Sequence, residues 1–318
     1  GGRVDAASQV VRFPRAVVEE IRAAQTALWR FGITAVHDFD GPRCFRALQI
    51  LHGRGELQLH VLKSIPIEFL DQAAALGLQS GFGDDWLRLG HVKIFADGAL
   101  GPRTAAMLRP YDGEPDNLGI SLIDREGILE AGILAARAGL PLAVHAIGDR
   151  ANHEVIEGLA ALRRFERENG LPALRHRIEH LQLLAPDDLA RPAELGLVVS
   201  MQPIHATSDM PMAQRYWGER NRYAYAWKSQ LERGALAAFG SDAPVESPNP
   251  FLGLHAAVTR RRLDGAPGPE GWIAEERIDL GAALRGFTVG PAETAGMGDR
   301  LGRLEPGCYA DLIVLDRD

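Results

Sequence analysis

The 318-residue sequence has only two cysteines, Cys44 and Cys308, far apart and in no metal-type spacing. A disulfide framework has nothing to build on, and two reduced thiols suit a reducing compartment. Nowhere does an apolar run approach the roughly 18 to 20 residues that span a bilayer. The opening GGRVDAASQVVRFPR also has no apolar core of a secretion signal. The chain therefore reads as cytoplasmic, with no membrane partner. A basic excess is missing too: 35 Lys and Arg face 42 Asp and Glu, a net charge of −7, and the arginines are scattered. Nucleic acid is not an expected partner. No G-x-G-x-x-G opens a helix, which argues against a doubly wound dinucleotide-binding sheet.

What is present is an alternation. Seven short apolar runs, several rich in Val and Ile, read as buried parallel strands: Ile33–Phe39, Leu57–Ile65, His91–Asp97, Leu140–Ile147, His176–Leu181, Leu197–Pro203 and Leu236–Asp242. Between them lie amphipathic stretches with helical periodicity, among them Arg15–Trp29, Ile128–Ala138, His153–Arg167 and, behind Pro186, Asp187–Leu195. This is the pattern of an α/β protein of the TIM (β/α)8-barrel type. Seven strands are one short of eight, so a first strand is expected upstream of residue 1. The tail LGRLEPGCYADLIVLDRD reads as a turn at Glu305-Pro306-Gly307 and a lone strand, Ala310–Leu315. A lone strand needs partners, which implies a remnant of a small β domain completed by upstream sequence. The expected organisation is a barrel over residues 1–300 and one strand of a small β-sandwich within 301–318.

In a barrel the C-terminal ends of the strands face the active site. Four such ends carry metal-type groups within apolar sequence: Lys93, His145, His180 and Asp242. Each has an ordinary explanation alone, a satisfied core histidine or a turn-capping aspartate. Together, two imidazoles and a carboxylate converging from separate strands form a donor set that a divalent metal, zinc first, accepts. Lys93 cannot ligate as an ammonium. Burial lowers a lysine pKa, and the neutral amine can form a Schiff base or add CO2 to give an anionic carbamate.

The stretches VKIFADGALGPRTAAMLRPY, VHAIGDRANHEVIE, HRIEHLQLL, MQPIHATSDMP, FGSDAPVESPNP and GRLEPGCYADLIVLD resemble the N-substituted formamide deformylase-like branch of the amidohydrolase superfamily, in the same order. The resemblance runs from about Ile33 to the C-terminus. It implies that Lys93 is a carboxylated lysine, His145 and His180 are metal histidines, and Asp242 is both a ligand and the proton-transfer base. By the same resemblance the reaction is hydrolysis of a non-peptide amide C–N bond in a small-molecule substrate. His205 and Gln202, in the QPIHATSD run, are candidates for the developing oxyanion and for substrate. Arg103 is a candidate for a substrate carboxylate, with a structural ion pair as the alternative. Asp97 and Asp149 are candidates for supporting hydrogen bonds.

The sequence departs from the family in one respect: no His-x-His occurs, whereas the family opens with one at the end of its first strand. His37 stands alone and is no substitute. Two other readings stay open: a Schiff-base lyase acting through Lys93, and a non-catalytic module whose open edge associates with another chain, such as a second copy in a homodimer.

Overall fold

A computed structural model of the protein describes residues 15–316. The first fourteen residues of the expected barrel domain, and the last two of the tail, lie outside the described residues. Helix α1 (Arg15–Trp29) leads into strand β1 (Ala35–Asp38), followed by α2 (Pro42–Gly53), β2 (His60–Pro66), α3 (Leu70–Ala75), β3 (Leu87–Phe95) and α4 (Arg125–Arg137). The alternation continues through β4 (Leu142–Ala146), α5 (Asp149–Glu168), β5 (Arg177–His180), α6 (Arg191–Glu194), β6 (Val198–Met201) and α7 (Pro203–Trp217). It ends with α8 (Trp227–Glu232), β7 (Leu236–Phe239), α9 (Pro250–Thr259), α10 (Leu280–Phe287) and α11 (Val289–Thr294).

All seven strands pair in chain order, each parallel to the next, and the sheet curls as a partial barrel. Among the described residues β1 and β7 are its two edges. Each strand falls where an apolar run lies, although β3 begins four residues before the expected His91. The reason is register: Leu87 and Leu89 already pair with Val61 and Lys63 of β2. The expected helix Asp187–Leu195 is broken into a 3-10 turn, Pro186–Asp188, and the four-residue α6. Pro192 lies inside that run, and a proline has no N–H with which to continue a helix.

The middle of the sheet is covered most completely. Every residue of β4 is buried, and Leu142 and Val144 join a core with Ile128 of α4 and Val155 and Leu159 of α5. Asp124 caps α4, its Oδ1 accepting from the Gly127 N–H at 2.9 Å. By contrast β1 is exposed or half-buried throughout.

The tail forms no strand among the described residues. Leu312, Ile313, Val314 and Leu315 are all substantially exposed, and no strand among the described residues pairs with their backbone. Instead the segment is held by side chains at the N-terminal end of β2 and β3. Tyr309 donates to Asp85 at 2.6 Å, and Asp311 lies 3.2 Å from His60, which stacks on Trp86. Ile313 packs over Gly32, where a Cβ would come within 2.7 Å of its side chain.

Candidate active site

Lys93, His145 and His180 come from the adjacent strands β3, β4 and β5, near their C-terminal ends, and all are at least nine-tenths buried. The register carries them up the sheet in steps, with Lys93 opposite Ala143 and Ala146 opposite His180. The two imidazoles meet edge to face with centroids 4.6 Å apart. Strict alternation along β5 would send His180 to the face opposite Arg177 and Glu179. The backbone turns instead into the left-handed region at His180 (φ 72°) and Leu181 (φ 44°), a conformation uncommon outside glycine.

Both rings are neutral at ordinary pH. Burial, reinforced by the charge of Lys93, lowers His145 to about 4, and burial with His145 and Lys93 nearby holds His180 well below the usual imidazole value. His145 Nε2 donates to the Gly98 carbonyl at 2.9 Å, and His180 Nδ1 donates to Gln202 Oε1 at 2.7 Å. Each neutral ring therefore keeps one nitrogen lone pair uncommitted. Two such imidazoles beside a lysine are a donor set compatible with a borderline divalent ion.

Lys93 Nζ lies over the rings of Phe39 and Phe95, 4.8 and 4.6 Å from their centroids. Burial brings its pKa down to about 8, opposed by the negative charge of Glu179. About a tenth of the amine is then neutral at pH 7, the form that reacts with CO2 or a carbonyl.

Asp242 follows β7 on an exposed loop, at φ 57°. Although solvent reaches it, the surrounding protein raises its carboxyl pKa, against the pull of His205 and Lys93. Its carboxylate and the two histidines do not close into a tight cage. Among the described residues, the group of three or more potential ligands lying within 4.8 Å of one another is Asp38, Asp40 and Cys44. That cluster already contains a cation, since Lys63 pairs with Asp38 at 2.5 Å, and the Cys44 thiol is pushed up to about 12 by burial.

His205 sits in the first turn of α7, buried, its ring 5.9 Å from that of His180 and only 20° from parallel, with Nε2 lacking a hydrogen-bond partner among the described residues. Gln202, the residue before this helix, has its carbonyl engaged by His180. Arg103 pairs with Glu114 at 2.5 Å and lies over Tyr216, so its guanidinium is tied into the loop after β3. Asp97 accepts three backbone N–H groups, from Ala106, Ile147 and Gly148, and lies 3.5 Å from His145. Burial still raises its pKa to about 7. Asp149 accepts from Leu108 and Arg150, fastening the same loop to the start of α5. Gly148 permits the approach, because a Cβ there would stand 2.0 Å from the Ala106 carbonyl.

Beneath Lys93 lies a polar network that the strand-end reading overlooked. Arg177 pairs with Glu179 at 2.5 Å and hydrogen bonds to His37 and to Ser200, each at 2.7 Å. Burial and the Arg177 charge take His37 down to about 3. The available signal was the run His176-Arg177-Ile178-Glu179, where two charges two apart on one strand face must share one side of the sheet.

The amidohydrolase family model matches residues 8–318. The chain is 37% identical over 258 residues to the protein LONG AFTER FAR-RED 3 of Arabidopsis thaliana, a match covering 79% of this chain and 42% of that one. It is 29% identical over 234 residues to the N-substituted formamide deformylase of Arthrobacter pascens, covering 73% and 41% of the two chains. An uncharacterized metal-dependent hydrolase from Pyrococcus furiosus superposes with a TM-score of 0.83 at 32% identity, over 98% of this chain and 62% of that one. The chain thus spans less than half the length of these two curated relatives. With the family model matched over almost the whole sequence and the parallel sheet in place, the chain belongs to the amidohydrolase family.

Proposed function

We propose that this chain carries the greater part of a metal-dependent amidohydrolase site that cleaves a non-peptide amide C–N bond in a small molecule. The observation that carries the reading is the pair of neutral imidazoles, His145 and His180, 4.6 Å apart at the ends of neighbouring central strands, with a lysine of lowered pKa beside them. Lys93, as its carbamate, would join His145, His180 and Asp242 in holding a divalent ion, with zinc the best match to the donor set. Such an ion supplies Lewis acidity for a carbonyl and acidity for a water near neutral pH.

The chain's own residues do the remaining work. Gln202 fixes the tautomer of His180 by accepting from its Nδ1–H. Asp242, raised in pKa but open to solvent, takes a proton from the attacking water and passes it to the leaving nitrogen. His205, with Nε2 unpaired, hydrogen bonds to the carbonyl oxygen as charge develops there. Gln202 and Arg103 face the substrate only if they exchange their present partners.

The test is elemental analysis and amide hydrolysis by the full-length protein. Bound divalent metal and turnover of an N-substituted formamide or other N-acyl amine are expected, both lost in His180→Ala. A metal-free protein that hydrolyses no such compound refutes the reading. Borohydride trapping of a carbonyl compound on Lys93 would replace it by the Schiff-base alternative.

A further inference from the structure

A cavity of about 560 Å3 opens between α7 and α9, bounded by Ile204 and Thr207 on one side, Leu252 on the other, and the segment Arg261-Arg262-Leu263-Asp264 across its end. That size admits a drug-sized group. Its link to the candidate active site is Ile204, the chain neighbour of His205, whose ring lies 5.9 Å from that of His180. The same first turn of α7 therefore serves the reacting centre with one residue and this cavity with the residues flanking it.

The charges in the cavity are unequal. Arg262 pairs with Asp264 at 3.4 Å. Arg261 has no ion pair among the described residues, and its Nε is buried without a hydrogen-bond acceptor. Arg261 as a whole is only half-buried, and its terminal N–H groups, which have no hydrogen-bond partner among the described residues, are the donors open to an incoming acceptor. With His255 neutral, the two arginines and one aspartate leave a single net positive charge, which matches a monoanion better than a dianion. A planar guanidinium also suits a carboxylate, which it can bind through two parallel hydrogen bonds. The remaining lining is mixed, apolar at Ile204, Leu252 and Leu263 and polar at Thr207, Ser208 and His255.

We propose that this cavity is the subsite for the part of the substrate remote from the scissile bond, and that it selects an apolar body ending in a carboxylate, as in an N-acyl amino acid, through Arg261. The proposal rests on the amidohydrolase reading for the identity of the reacting group, but its test reads binding rather than turnover. Calorimetric titration of the full-length protein with N-benzoylglycine and with its neutral primary amide compares two probes of one shape. The acid is expected to bind at least about tenfold more tightly, and Arg261→Gln to bring the two within about twofold while leaving the affinity for the amide unchanged. Leu252→Trp, which narrows the cavity from its other wall and keeps the Arg261 charge, should weaken both probes about tenfold or more.

Equal binding of acid and amide by the wild type overturns the proposal, as does a preference that survives Arg261→Gln in a protein with an unaltered thermal midpoint. The two readings fail separately. A charge preference lost in Arg261→Gln, found in a protein that hydrolyses no amide, leaves the subsite standing and refutes the hydrolysis. Hydrolysis without any charge preference does the reverse.

Discussion

The centre of the sheet and its two edges treat polar side chains differently. On β3, β4 and β5, Lys93, His145 and His180 are nearly dry, oriented by the Gly98 carbonyl and Gln202, and displaced in pKa by burial. After the edge strand β7, Asp242 is exposed on a loop, and β1 at the other edge is exposed or half-buried along its length. The centre is covered by α4 and α5, so its ionisable groups keep one arrangement. The edge leaves Asp242 accessible to water, as the proton-transfer role proposed for it requires. In that proposal, preorganisation and proton exchange fall on different parts of one sheet.

The largest expected effect would break the central arrangement. His180→Ala should remove bound metal and with it turnover, measured by elemental analysis alongside hydrolysis. Gln202→Ala, which only frees the His180 ring, should cost about 10 to 100-fold in metal affinity or rate. Retention of full metal content in His180→Ala would deny the centre its assigned role. At the edge, Asp242→Asn should lower kcat by about 10²- to 10⁴-fold while changing stability by less than about 0.5 kcal/mol, as befits an exposed side chain. Chemical denaturation would report any larger change.

A packing pair sharpens the same contrast. Leu142→Ala in β4, which is fully buried, should cost about 2 to 5 kcal/mol by leaving a cavity. Val36→Ala in half-exposed β1 should cost less than about 1.5 kcal/mol, because less apolar surface returns to water. Urea unfolding of both variants measures the ratio.

The smallest effect is on pH. His37, held at about 3, and His145, at about 4, remain unprotonated in the fold at pH 5, whereas in the unfolded chain both would bind protons near pH 6.5. The unfolded state therefore binds more protons between about pH 6.5 and 4, and stability falls as pH falls through that window. Asp97, raised to about 7, works in the opposite direction throughout that window and offsets one of the two histidines. The urea midpoint should be lower at pH 5 than at pH 7, and His37→Gln should lose less over that interval than the wild type.

The strands were legible in the sequence because parallel strands covered on both faces are largely apolar runs, and β4 and β6 are buried from end to end. Lys93, His145 and His180 stood out as ionisable groups at the ends of those runs. Arg177 and Glu179 are harder to read: their charges neutralise each other within β5, and their further partners, Ser200 on the neighbouring β6 and His37 on β1, lie far off in sequence. The pair itself is visible two apart on one strand, but nothing local announces the His37 and Ser200 contacts that extend it. Arg103 was ambiguous in sequence because a guanidinium suits a ligand and a structural carboxylate equally, and Glu114 is the group it meets.

The tail marks the limit of local reading. Ala310–Leu315 has the composition of a strand, yet a strand exists only as part of a ladder, and here the segment rests on Tyr309, Asp311 and Ile313 contacts. Sequence by itself determined the order of elements, the family and the residues at the strand ends, since these follow from periodicity and from motifs contiguous along the chain. Tertiary structure alone decided that His180 leaves the pleat to meet His145, that Gln202 holds it, and that Arg261 closes a cavity one turn from His205. Each depends on backbone turns and on groups far apart in the chain, whose distances no local pattern encodes.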